Sequence, residues 1–205
     1  NVRDFQEAVG NSMGNLLRNI GTEVTVSGLD KLEPSAAYLY ISNHRDIAMD
    51  PAFVNFVLYH HGRDTVRIAI GDNLLTKDFA SDLMRINKSF IVKRSPVGRR
   101  EKLNALVHLS RYIRFSLLEE QASVWIAQRE GRAKDGVDKT EKALLKMLSL
   151  SKTKEQSFTE GIRELKVVPV AISYELDPLD EAKAKELYAR KTAGAYEKEA
   201  HEDLL

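Results

Sequence analysis

The chain has 205 residues, 43% of them hydrophobic, and a formal net charge of +1. That length supports one domain with a sizeable buried core, and the balanced charge excludes a general affinity for nucleic acid. The absence of cysteine excludes disulfides, thiolate metal sites and a cysteine nucleophile, and agrees with a reducing compartment. In chain order, Val2–Asn19 reads as a helix, and Tyr38–Ser42 as a short apolar strand. Ala52–Tyr59 reads as a helix entered through Pro51, a residue suited to a first helical position. Val66–Ile70 and Phe90–Lys93 read as strands. Leu103–Gln121 carries Leu103, Leu106, Leu109, Tyr112, Ile113 and Leu117 at near-helical spacing with one wet face. Ser123–Ala127 follows as a strand, Val137–Leu150 as a helix, Val167–Tyr174 as a strand and Asp180–Lys191 as a helix.

Strands alternating with helices predict an α/β fold with a mixed, largely parallel sheet flanked by helices. No repeat or low-complexity linker interrupts it, so residues 1–205 read as a single domain. No stretch approaches the ~18 consecutive apolar residues of a membrane span, and no signal peptide is visible. The start at Asn1 reads as a processed form or a fragment. The ending His201–Leu205 reads as the start of another helix, so the natural chain is expected to continue.

In α/β sheets, chemistry gathers at the carboxyl ends of strands. Ser42-Asn43-His44-Arg45-Asp46-Ile47-Ala48-Met49-Asp50-Pro51 lies at such a strand-to-helix junction. A histidine there can take a proton from an alcohol if a carboxylate orients its other nitrogen, and both Asp46 and Asp50 are within sequence reach. The structural alternative is that Asp50 caps the helix and His44 bonds a backbone carbonyl. No Gly-x-Ser-x-Gly occurs, and no cysteine, so direct attack by an acceptor alcohol is the simpler chemistry. A His/Asp metal site from His44, Asp46 and Asp50 finds no other histidine at ligand spacing. His60 and His61 close a helix before Gly62, where they favour its dipole, and carry no catalytic expectation.

The Asn-His…Asp-Pro pattern after a strand resembles block one of the glycerolipid acyltransferases, the glycerol-3-phosphate and 1-acyl-glycerol-3-phosphate acyltransferases, whose signature is His-x4-Asp. Here Asp50 lies six positions after His44 and Asp46 two, an extra residue relative to the family. The Asp50-Pro51 junction favours Asp50 as the partner, with Asp46 the alternative. Phe90-Ile91-Val92-Lys93-Arg94 resembles block two, with Lys88 or Ser89 where the family has glycine. Trp125-Ile126-Ala127-Gln128-Arg129-Glu130-Gly131-Arg132 resembles block three, with Arg129 where the family has proline and Arg132 directly after Gly131. Val167-Val168-Pro169-Val170 resembles block four. The likeness runs from about Tyr38 to Ile172.

The resemblance implies a glycerolipid acyltransferase. His44 would be the general base, and Asp50 or Asp46 would orient it. Arg94 and Arg132 would hold an acceptor phosphate, with Glu130 and Gly131 shaping the pocket; a guanidinium fork suits phosphate oxygens. It implies a thioester co-substrate, acyl-CoA or acyl-carrier protein, with no other cofactor and no metal. Read alone, the segments holding Arg94 and Glu130–Arg132 would pass for solvated polar loops. Between Lys93 and Arg114 there are seven basic residues and one acidic, while Glu175–Leu205 has nine acidic and five basic. The basic segment suits an anionic membrane surface or an acidic carrier protein, and predicts a cytoplasmic protein lying peripherally on the membrane. The rival readings are a catalytically silent lipid- or phosphate-binding protein of the same fold and a metal-dependent hydrolase.

Overall fold

The computed structural model describes residues 2–19, 23–72, 87–96, 98–194 and 196. Five strands form one parallel sheet: β1 (Leu39–Ser42), β2 (Arg67–Gly71), β3 (Ser89–Val92), β4 (Val124–Ala127) and β5 (Val167–Val170). Their spatial order is β3-β2-β4-β1-β5. The helices are α1 (Val2–Asn19), α2 (Met49–His60), α3 (Arg99–Leu118), α4 (Lys142–Leu148), α5 (Phe158–Arg163) and α6 (Asp180–Ala193). The α/β class read from the sequence is the observed one, and the sheet is parallel throughout.

Parallel sheets are covered on both faces, so their strands are apolar on both sides. Leu39, Ile41, Val124 and Ile126 pack against Ile113 and Leu117 of α3 and Met147 and Leu148 of α4. The alternate residues Tyr40, Ile68 and Trp125 pack on the other face against Val54 and Leu58 of α2. The connection leaving β1 therefore covers one face, and the connection leaving the adjacent β4 covers the other. Neighbouring strands whose connections part in this way open a crevice outside their carboxyl ends, the usual ligand site of open α/β sheets.

Where the elements differ from expectation, the reasons are local. β5 ends at Val170 rather than Tyr174 because Asn43, the residue after β1, takes over the pairing with its side chain. The Ile172 N–H donates to Asn43 Oδ1 and Asn43 Nδ2 donates to the Ile172 carbonyl, each at 2.8 Å. Residues 137–141 are not helical; Thr140 Oγ1 and the Glu141 N–H both donate to Gln128, which pins the segment to the end of β4. α5 arises where no helix was expected, from a capping box in which Ser157 and Glu160 satisfy each other's backbone. α2 begins at Met49, so Asp50 and Pro51 lie within its first turn, where a missing N–H costs nothing.

α3 also departs from the simple amphipathic picture. Its 20 residues span about 30 Å, whereas a four-residue strand spans about 13 Å. Only its second half can lie on the sheet, so Ile113 and Leu117 are buried while Leu103 and Leu106 are exposed. Because α3 follows the carboxyl end of β3, the overhanging half is on the same edge of the sheet as His44. The expected helix start at His201–Leu205 lies outside the described residues.

Candidate active site

The chain leaves β1 at Ser42 and wraps residues 44–50 around one buried carboxylate. Asp50 Oδ2 lies 3.0 Å from His44 Nδ1 and accepts the backbone N–H groups of Arg45 (2.8 Å) and Asp46 (3.0 Å). Asp50 Oδ1 accepts the Tyr174 hydroxyl at 2.8 Å. Asp50 is fully buried, and an ionised carboxylate is stable there only with such a set of donors. Since a carboxylate can only accept, the His44 Nδ1 carries the proton and Nε2 is the basic nitrogen.

Asp46 does a different job. Its Oδ1 accepts the N–H groups of Ala48 (2.9 Å) and Met49 (2.8 Å), closing the turn that starts α2, and its Oδ2 lies 3.8 Å from Arg132. The structure thus puts Asp50, not Asp46, against the imidazole. The helix-capping role considered for Asp50 falls to Asp46, through the Ala48 and Met49 N–H groups. Behind the imidazole, the Trp125 ring stands edge-on at 6.3 Å between centroids, and its Nε1 donates to Ser42 Oγ at 3.0 Å.

The other strand ends close around this turn. The Ala133 N–H donates to the His44 carbonyl and the Gln128 N–H to the Ser42 carbonyl, so the loop after β4 is fastened at both ends to the His44 strand. Within that loop Gly131 has φ 74°, the left-handed region that glycine enters without strain. Glu130 Oε1 lies 3.5 Å from Arg94 Nη1, joining the ends of β4 and β3. Asp72, at the end of β2, accepts the N–H groups of Arg94 and Ser95. Lys88, just before β3, has φ 58°, in the left-handed region. The sequence-predicted residues therefore meet in two groups, His44–Asp50 and Asp46–Arg132 on one side and Arg94–Glu130 on the other, along one edge of the sheet.

Several residues of this arrangement were not singled out in the sequence. Tyr174 is one. Its burial, and then the Asp50 charge beside it, raise the phenol well above the ordinary tyrosine range, so it stays an O–H donor to Asp50. Arg45 pairs with Asp177, and Lys183, only 5% exposed, donates to the Arg45 carbonyl at 2.8 Å and pairs with Asp177 as well. These three join α6 to the His44 turn. Asp177, in the loop before α6, and Lys183, within α6, both lie beyond the motifs. Among the described residues, no group of three or more His, Asp or Glu side chains is placed to hold a metal ion. A cavity of about 250 Å³ opens at the opposite, amino-terminal end of the sheet. Its cations are already engaged, Arg63 by backbone carbonyls, Arg67 by Glu120 and Lys88 by Thr65.

With this geometry in view, comparison with protein families gives a match to the acyltransferase model over residues 23–173, well over half of the chain. The chain belongs to the glycerolipid acyltransferase family. Acyl transfer is the chemistry of that domain, and the matched span of this acyltransferase covers all five strands and the loops at the carboxyl ends of β1 to β4. Tyr174 and α6 fall outside the match. Comparison with curated proteins gives no match.

Proposed function

We propose that this acyltransferase moves a fatty acyl group from a thioester, acyl-CoA or acyl-carrier protein, to a hydroxyl of a glycerol phosphate or lysophospholipid. The observation that carries the reading is the 3.0 Å contact between His44 Nδ1 and a fully buried Asp50. It leaves Nε2 basic at the crevice between the ends of β1 and β4. The acceptor O–H gives its proton to Nε2 as its oxygen attacks the thioester carbonyl. The tetrahedral adduct then collapses, the C–S bond breaks, and the departing sulfur takes the proton from the imidazolium. Asp50 steadies the imidazolium, and Tyr174 and two backbone N–H groups hold Asp50 in place. No acyl-enzyme is needed. Arg94 and Arg132, with Glu130 and Gly131, receive the acceptor phosphate.

The reading extends to the membrane surface. Among the described residues no helix is long and apolar enough to cross a membrane. The overhanging half of α3 exposes Leu103 and Leu106 beside Arg99, Arg100 and Lys102, an apolar and basic surface next to the site. Such a surface suits peripheral attachment to anionic lipid on the cytoplasmic face. Arg114 takes no part, since it pairs with Glu164 and donates to the Gly161 carbonyl. The test is thiol release from acyl-CoA and acyl-carrier protein against a panel of glycerol phosphates and lysophospholipids. Acceptor-dependent release supports the reading. Binding of acceptor without release from either donor would replace it with a silent lipid-binding protein.

A further inference from the structure

Two backbone N–H groups hold the Asp50 carboxylate, and one of them has a charged side chain behind it. The Asp46 N–H, which donates to Asp50 Oδ2 at 3.0 Å, belongs to the same peptide unit as the Arg45 carbonyl. That carbonyl accepts from Lys183 Nζ at 2.8 Å. Lys183 and Asp50 therefore grip the two ends of one peptide. A trans peptide is planar, with its C=O and N–H pointing in opposite directions, so fixing the oxygen fixes where the N–H points. A cation on the oxygen also polarises the unit and makes its N–H a better donor.

Lys183 is buried, and Asp177 pairs with it. Asp177 also accepts from Arg45 Nε at 2.7 Å, so both the side chain and the carbonyl of Arg45 are held from the α6 side. The Arg45 N–H is the other backbone donor to Asp50 Oδ2, at 2.8 Å. α6 is fastened separately to the loop after β4, where Lys134 lies 3.2 Å from the buried Glu186 carboxylate. A neutral donor would satisfy the Arg45 carbonyl as well, and burying an ammonium costs solvation. The charge is the feature that a merely structural contact does not need.

We infer that Lys183 is a positioning residue for His44: through the Arg45–Asp46 peptide it holds Asp50 against the imidazole. The inference rests on the acyl-transfer reading, in which His44 is the base. Asp50 steadies the imidazolium only while its Oδ2 stays near Nδ1, 3.0 Å away. If the peptide tilts, Oδ2 loses a donor and the carboxylate is free to shift. The effect falls on proton transfer, and so on kcat, rather than on the binding of either substrate. Lys183 lies outside the span matched by the family, residues 23–173, so this support belongs to the segment that follows the matched domain.

The test compares the full chain with Lys183→Met, Lys183→Gln and Lys183→Arg, with circular dichroism to show folding at the assay temperature. Acceptor-dependent thiol release gives kcat and both KM values, and amide NMR follows the Asp46 N–H. Lys183→Met should lower kcat about 10-fold, as when a group that orients a catalytic side chain is lost, and leave both KM values within about 2-fold. Its Asp46 amide proton should move upfield, as a lengthened hydrogen bond requires. Lys183→Arg, which keeps a charged donor, should recover most of kcat, and Lys183→Gln, a neutral donor, should fall between. If Lys183→Met fails to fold, the other two decide: Gln slower than Arg supports the inference, and equal rates overturn it. Near wild-type kcat in folded Lys183→Met would overturn it and leave the acyl-transfer reading standing, as would a lower kcat with the Asp46 signal unmoved. Absence of release by the wild type would remove the acyl-transfer reading. The Asp46 signal then decides the positioning alone, moved in Lys183→Met if it holds and unmoved if it fails.

Discussion

The two aspartates of the His44 turn differ in what they hold. Asp50 accepts from the imidazole, two backbone N–H groups and Tyr174, whereas Asp46 closes the turn and meets Arg132 at 3.8 Å. An Asp50→Asn variant presents an amide that can donate to Nδ1 and so favours the wrong tautomer. Its kcat should fall by about 10²–10⁴-fold. Asp46→Asn keeps the oxygen that accepts from Ala48 and Met49, and should lose less than roughly 5-fold, the scale of a weak ion pair. Steady-state thiol release compares them, and equal losses would contradict the division of labour. Tyr174 gives a pH test. Its phenol is raised well above the ordinary ~10, so the folded chain keeps a proton that the unfolded chain loses. Stability linked to that proton is present below about pH 10 and lost as pH rises above it. Tyr174→Phe should therefore lose less stability than the wild type between pH 8 and 10.5 in urea unfolding; parallel losses would contradict the assignment. His44 and Asp50 were legible because histidine and aspartate at a strand-to-helix junction are rare and chemically loaded. Tyr174 was not, because a tyrosine at the end of an apolar run reads as core until the Asn43 amide is seen to end β5 and turn the chain.

At the scale of elements, α6 is the structural support that the motifs leave out. Lys183 reaches from α6 to the Arg45 carbonyl and to Asp177, which in turn holds the Arg45 guanidinium. Lys183→Met should destabilise the fold toward the lower end of the ~3–5 kcal/mol seen when one partner of a buried ion pair is removed, since Arg45 still pairs with Asp177. Chemical unfolding measures it, and a change within about 0.5 kcal/mol would show the contact to be incidental. The strands were readable to within a residue or two at most ends because each is a short apolar run covered on both faces. The helices were less so. Side-chain pairing decided where 137–141 stopped being helical, and a capping box made α5 from six residues too few to show a period. Leu103 and Leu106 show the limit of periodicity, which gives the apolar face of α3 but not how far a long helix runs past a short sheet.

For the whole molecule, the carboxyl edge of the sheet gathers the His44 turn, the Arg94 and Arg129–Arg132 loops and the exposed start of α3. This places the proposed acceptor site beside the proposed membrane surface. The chain should bind anionic vesicles, and binding should weaken with salt, since exposed charges are screened within about 8 Å at physiological ionic strength. Replacing Arg99, Arg100 and Lys102 with Gln should reduce co-sedimentation with anionic vesicles. Binding that ignores both salt and these substitutions would place attachment elsewhere. The parallel order β3-β2-β4-β1-β5 makes the site possible, because it sends the connections of β1 and β4 to opposite faces and opens the crevice between them.

The central claim is that His44 is the base. It is tested most directly by acceptor-dependent thiol release in His44→Ala, with circular dichroism to show that the variant is folded. The account predicts a folded protein whose kcat is lower by about 10²–10⁴-fold. A folded His44→Ala protein that turns over at near wild-type rate would contradict it.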